Sequence, residues 1–279
     1  MIQIASFNCN SIRRNVDTVR SLLKSNDFVA LQELMICESD VEFLSTIDNE
    51  FYYHAFVKDK ILDGINTGRP SKGVAIFWKK SIMSVTSINI NEWMNGITFD
   101  TNIGRILFLN VYLPCDMGSY DSLHEFRSAL AILSGVIDDC DINNILIIGD
   151  FNADPCKGRF WKELETLISN YNLNSEVGHL NPSDFTFLSP SHNTTSYIDH
   201  LLCSTNSYEK LLSARVNYDL SLYDHFPLEI VFNIDIQIKP CPAVINSSKF
   251  IDWNNLNNND LITYRKNIDN LLLQPRMGR

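Results

Sequence analysis

The chain has 279 residues, 45% of them apolar and 20% charged, with 11 Gly and 9 Pro. This composition supports a large packed core and excludes wholesale disorder. Its 23 Lys and Arg stand against 33 Asp and Glu, and a net charge of −10 argues against a simple nucleic-acid binder. It leaves room for an enzyme that commits carboxylates to a metal and meets a polyanion through a local basic patch.

The opening MIQIASFNCN shows no leader pattern. No apolar run approaches the ~18 residues of a membrane span, so no membrane contact is expected. The seven cysteines are scattered without a Cys-x-x-Cys pair, which speaks against a disulfide framework or a structural zinc site. An intracellular, reduced protein is expected, and the sequons at Asn193 and Asn246 carry little weight.

In chain order, Ile2–Asn8 reads as a strand, Val16–Leu23 as a helix, Phe28–Leu31 as a buried strand and Glu38–Ile47 as a second helix. Strands are predicted at Phe51–Val57, Gly73–Trp78, Ser81–Ile90, Gly96–Asp100 and Arg105–Leu113. Leu123, Phe126, Leu130, Leu133 and Ile137 recur at helical spacing. A strand at Asn144–Ile148 and a helix at Phe160–Ile168 follow. Further strands fall at Phe185–Leu188, Tyr197–Cys203, Leu211–Tyr218 and Pro227–Ile234. Strands with helices spread among them suit two packed sheets with helices outside. Beyond residue 236 the composition shifts to Pro240, Pro242 and an Asn-rich linker. A short amphipathic helix then carries Leu261, Tyr264, Ile268 and Leu271.

Polar residues recur at the ends of apolar strands. Asn8 and Asn10 share one face, Gln32 and Glu33 follow Leu31, and Asp150 and Asn152 follow Ile145–Ile148. Tyr223, Asp224 and His225 precede the last strand; Asp199 and His200 sit inside an apolar one, and Tyr112 ends another. Each has an ordinary reading, as turn former, N-cap or core tyrosine. His54, His124, His179 and His192 have no carboxylate context.

Taken in order, Asn8, Glu33, Tyr112, GDFNADP at 149–155, IDH at 198–200 and DHFPL at 224–228 resemble the endonuclease/exonuclease/phosphatase superfamily, across residues 1–236. That superfamily includes apurinic endonucleases and the deoxyribonuclease-I type. The likeness implies an α+β fold, a four-layer α/β/β/α sandwich of deoxyribonuclease-I-like type. FNCNSI at 7–12, GVAIFW at 73–78, FTFLSP at 185–190 and SYIDHLL at 196–202 look most like the endonuclease domain of non-long-terminal-repeat retrotransposons. Residues 237–279 are similar to the segment joining that domain to a reverse transcriptase.

The resemblance implies a hydrolase that nicks double-stranded DNA for retrotransposition, acts on nuclear DNA and works with a reverse transcriptase of the same polyprotein. It also implies Mg²⁺, with Mn²⁺ as substitute, held by Glu33, Asp224 and Asn8. Asp199 would orient His225 as a cation toward the scissile phosphate. Asp150 and Asn152 would handle the attacking water, Asp150 as base or as acid, and Tyr112 would donate to the phosphate. Arg13, Arg14, Lys72, Lys157, Arg159 and Lys162 fall near these loops, as phosphate contacts or as a solvated face. Two positions depart from the pattern. Tyr223 stands where relatives usually carry Ser, and Asn10 stands where several apurinic endonucleases carry an acid. The competing readings are another phosphoester hydrolase of this fold (a repair nuclease or an inositol-phosphate phosphatase) and an inactivated binding scaffold.

Overall fold

The computed structural model describes residues 1–59, 61–62, 65–66, 72–189, 191–220 and 224–238. Tyr223 and the expected helix from Leu261 lie outside the described residues.

The strands are β1 (Ile2–Asn8), β2 (Phe28–Gln32), β3 (Phe51–Phe56), β4 (Ile61–Leu62), β5 (Ile65–Asn66), β6 (Val74–Lys79), β7 (Thr86–Asn91), β8 (Met94–Thr101) and β9 (Gly104–Tyr112). They continue with β10 (Asn144–Asp150), β11 (Leu173–Ser175), β12 (Phe187–Ser189), β13 (Thr194–Ser196), β14 (Asp199–Ser204), β15 (Leu211–Val216) and β16 (Leu228–Phe232). The α-helices are α1 (Val16–Ser25), α2 (Tyr120–Cys140), α3 (Gly158–Asn170) and α4 (Thr205–Tyr208).

Two six-stranded sheets form, ordered β15-β16-β1-β2-β6-β3 and β11-β14-β10-β9-β8-β7. Strand side chains alternate between faces, so one strand feeds two layers. From β1, Ile2 and Ile4 point between the sheets to meet Phe108, Leu146 and Ile148. Ala5 and Phe7 point outward and pack with Val19 and Leu22 of α1. On the other sheet, Leu107 and Ile147 turn outward to Phe126 and Leu133 of α2 and Leu164 of α3. The result is the expected four layers, helix–sheet–sheet–helix.

Toward one rim the inter-sheet core turns polar. Asn110 donates to the Leu31 and Ala75 carbonyls of the opposite sheet, each at 3.0 Å, and accepts from Gln32 at 2.7 Å. Buried amides must be paired, and this plug ties the sheets together beneath the strand ends.

Several expected elements differ. Residues 38–46 form a 3-10 helix, where Ser45 and Thr46 hydroxyls bond back to the carbonyls three residues earlier. The strand expected from Ser81 starts at Thr86, because Ile82 instead bridges to Ile238. The strand expected at Phe185–Leu188 is β12, which pairs with β13 in a separate ribbon. Pairing with the body continues to the end of the described chain, where Met83 N–H donates to the Gln237 carbonyl. No disulfide forms among the described residues. Among them, no helix is long and apolar enough to cross a membrane.

Candidate active site

Strand direction explains why distant residues meet. β1 runs parallel to β2 with Asn8 beside Gln32, and β9 parallel to β10 with Tyr112 beside Asp150. All four end at the same rim. β14 and β16 run antiparallel to their neighbours, so they begin there, with Asp150 opposite Asp199 and Ser6 opposite Leu228. Asp224 and His225 lie just before β16.

Asn8 joins the two sheets: its side-chain amide donates to Glu33 Oε1 and to Asp150 Oδ2, both at 2.9 Å. Its Oδ1 accepts from Asn10 N–H at 3.1 Å, which fixes the amide's orientation. Glu33 itself sits at φ +51, a left-handed conformation uncommon for Glu. Ser11 N–H bonds its carbonyl at 2.9 Å, and Leu34 N–H bonds Gly73 O at 3.1 Å, holding the strained turn. Burial first, then the nearby charges of Glu33 and Asp150, push the Tyr112 phenol above its ordinary value, so it remains a donor.

Gly149 lets β10 end this way. Its φ is +145, and a Cβ there would collide with the Val111 carbonyl oxygen. Asp150 is buried and accepts Asn152 N–H at 2.9 Å, while the Asn152 side chain donates to Leu113 O at 2.9 Å. With its amide on Leu113, Asn152 acts in this geometry as a clamp on the Tyr112 loop.

His225 Nδ1 donates to Asp199 Oδ2 at 3.0 Å, and its Nε2 lies 3.8 Å from Asp150 Oδ2. Burial alone lowers a histidine pKa, but Asp199, then Asp150 and Asp224, lift it to about 10, so the ring is an imidazolium at neutral pH. Asp150 is raised from 3.8 to about 7, by burial first and then by Asp199, with His225 and Asn8 opposing.

Three further groups support the site. Thr186 Oγ1 accepts from both Ile198 and Asp199 N–H at 3.0 Å. Phe187 packs its ring 4.9 Å from His225, and Leu188 N–H bonds Asp224 O at 2.7 Å. Buried Glu176 accepts from Leu201 N–H at 2.9 Å and faces His200, whose Nε2 holds Ala153 O at 2.8 Å. Thr186, Phe187 and Leu188 lie in the FTFLSP run and His200 in the IDH run, but the atoms they support are brought near only by folding.

The basic residues near these loops divide. Arg13 pairs with Asp40 at 3.1 Å, Arg159 with Asp116 at 2.7 Å, and Lys157 reaches Thr195 O at 2.8 Å. Arg14 and Lys162 are exposed, and Lys72 lies over the Trp93 ring. His54, His124, His179 and His192 take no part in this carboxylate network; His54 bonds Ile88 O and His179 packs on Tyr208.

The donor set fits a hard cation. Asp224 Oδ1 is buried without a partner, and among the described residues no Lys or Arg pairs with Glu33, Asp150, Asp199 or Asp224. Polar atoms of Asp150, Asp199 and His225 lie within 4.8 Å of one another, and there the His225 imidazolium is a donor to the carboxylates and not a ligand. Several carboxylates against one imidazolium leave negative charge to be balanced.

The sequence model of the Endonuclease/Exonuclease/phosphatase family matches residues 5–220. The chain belongs to the endonuclease/exonuclease/phosphatase family. No curated protein sequence matches it. Among solved structures, a Neisseria 3′ phosphatase bound to product DNA hairpin is similar at 17% identity, TM-score 0.66, over 84% of this chain and 100% of that one. An AP endonuclease from Archaeoglobus fulgidus gives 18%, 0.66, 84% and 100%. The endonuclease domain of TRAS1, a telomere-specific non-LTR retrotransposon, gives 14%, 0.61, 85% and 99%. Likeness at such identity shows a shared fold.

Proposed function

We propose that this chain is a metal-dependent DNA endonuclease that nicks double-stranded target DNA in the nucleus for reverse transcription by a polymerase domain of the same polyprotein. The observation that carries the hydrolytic part is the continuous network Glu33–Asn8–Asp150–His225–Asp199, which links both sheets at one rim. Such a network is preorganised for charge developing on a phosphate.

Glu33 and Asp224, with Asn8 beside them, would hold Mg²⁺ or Mn²⁺, which supplies charge neutralisation at the phosphate and a more acidic bound water. Within the protein, Asp199 keeps His225 charged and aimed, and His225 donates to a non-bridging oxygen. Tyr112 donates to another. Asp150, whose raised pKa suits proton transfer near neutrality, takes the proton of the attacking water. Water adds to phosphorus as Asp150 takes its proton, the P–O3′ bond breaks, and the leaving 3′-oxygen takes up a proton from solvent, giving a 3′-hydroxyl and a 5′-phosphate. The retroelement role is supported by the motif run from FNCNSI to SYIDHLL, and Asn10 disfavours abasic-site repair.

The test is to treat supercoiled plasmid and then add a DNA polymerase with labelled nucleotides. Label incorporated at the nick supports a primer-ready 3′-hydroxyl. Nicks that need a phosphatase before extension contradict it, and cleavage confined to abasic duplexes favours the repair reading.

A further inference from the structure

Tyr112 is the last residue of β9, and a side chain at a strand end swings freely unless a neighbour walls it. The β8–β9 register pairs Asn95 with Asn110 and Met94 with Val111; one step further it sets Trp93 opposite Tyr112. The two residues meet twice. Tyr112 N–H donates to the Trp93 carbonyl at 2.7 Å, and the rings lie 5.6 Å apart with 31° between their planes. Directly opposed aromatic residues on a sheet support one another in this way.

Trp93 is itself held. It lies in the turn between β7 and β8, where Asn91 Oδ1 accepts Trp93 N–H at 2.9 Å and Met94 N–H at 3.0 Å. This Asx-turn fixes the backbone from which the indole projects. On the other flank Tyr112 pairs with Asp150 of β10, and Leu113 N–H donates to the Asp150 carbonyl at 2.8 Å. One pair further down, Asn110 donates to Asn95 Oδ1 at 3.2 Å. The backbone of Tyr112 is thus fixed from both sides, and the indole is what bears on its ring.

We propose that Trp93 is a positioning residue for the reaction, its ring confining the Tyr112 side chain so that the phenol stays aimed at the phosphate. The inference rests on the phosphate-donor role of Tyr112 given above. Confinement means that the torsional freedom of the donor is lost on folding and not in the transition state. The effect of Trp93 passes through Tyr112, so it belongs to kcat and not to DNA affinity.

Nicking kinetics of the full chain on supercoiled plasmid in Mg²⁺ test this. Trp93→Ala should lower kcat roughly ten-fold at unchanged KM, since the phenol acts in the transition state. Trp93→Phe should restore most of the rate; Trp93→Leu, which keeps apolar bulk without a flat ring, should not. In a Tyr112→Phe background, Trp93→Ala should cost at most about two-fold, because the group it positions is gone. An equal loss in both backgrounds, a change in KM alone, or an unchanged kcat overturns the proposal. A second readout needs no hydrolysis. The chain is labelled with 3-fluorotyrosine in chelator, and the Tyr112 fluorine signal is assigned by its absence from Tyr112→Phe. In Trp93→Ala that signal should shift and narrow as the ring gains motion. A signal that stays in place overturns the proposal. A signal that moves, in a protein whose wild-type form nicks no plasmid, upholds the confinement of Tyr112 by Trp93 and overturns the endonuclease reading instead.

Discussion

Asn8 and Asp150 are 142 residues apart and on different sheets, yet the Asn8 amide donates to the buried Asp150 carboxylate at 2.9 Å. The same nitrogen reaches Glu33, so one side chain spaces two acids across the sandwich. Asn8→Ala should lower kcat by roughly 10²-fold, the cost of losing one preorganised donor. Asn8→Asp should fare worse, since it adds a carboxylate where a donor stood. Steady-state nicking kinetics on both variants, with melting curves to confirm folding, check this order.

His225 and Asp199 should act as a unit. Asp199→Ala and His225→Ala are each expected to cost about as much as the double variant, because either change leaves the imidazolium absent or unaimed. A double-mutant cycle measures the coupling; losses that multiply would show two independent groups.

The cluster also sets a pH dependence of stability. Asp150 is raised from 3.8 to about 7, so between those values the folded state holds a proton the unfolded chain has lost, and stability falls as pH rises. His225 is raised from 6.5 to about 10, and its stabilisation is present below 6.5 and lost through 10, the same sign. In chelator, the melting temperature should therefore drop steadily from mildly acid to alkaline pH. The drop between 3.8 and about 7 should flatten in Asp150→Asn, and thermal melts of both proteins across that range would show it.

Gly149→Ala should prevent β10 from closing on β9, because the added methyl meets the Val111 carbonyl and φ +145 is strained for any side chain. Loss of several kcal/mol, read by denaturant unfolding, is expected even though Gly149 touches no substrate.

Much of this was legible in the sequence. The strand ends at Asn8, Glu33, Asp150 and Asp224 stood out because polar groups interrupt apolar runs, and burial makes such interruptions costly without partners. Their order, not any one of them, carried the family. The short strands β11 and β13 were not legible, since three residues hold no period to read; at 38–46 the helix was legible but not its 3-10 form, which the back-bonding Ser45 and Thr46 hydroxyls accompany. Thr186, Glu176 and His200 were missed as positioning groups for a different reason. They act by bonding backbone atoms that only the folded chain brings near, as Thr186 does for Asp199 N–H.

The most direct measurement is conversion of supercoiled plasmid to open circles by the wild-type chain and by Glu33→Gln, in Mg²⁺ with and without excess chelator. Open circles should form with wild-type protein in Mg²⁺ alone, with chelator abolishing them and Glu33→Gln slowing them by orders of magnitude. Intact plasmid in Mg²⁺ and Mn²⁺, or nicking undiminished by chelator, would contradict a metal-dependent DNA endonuclease.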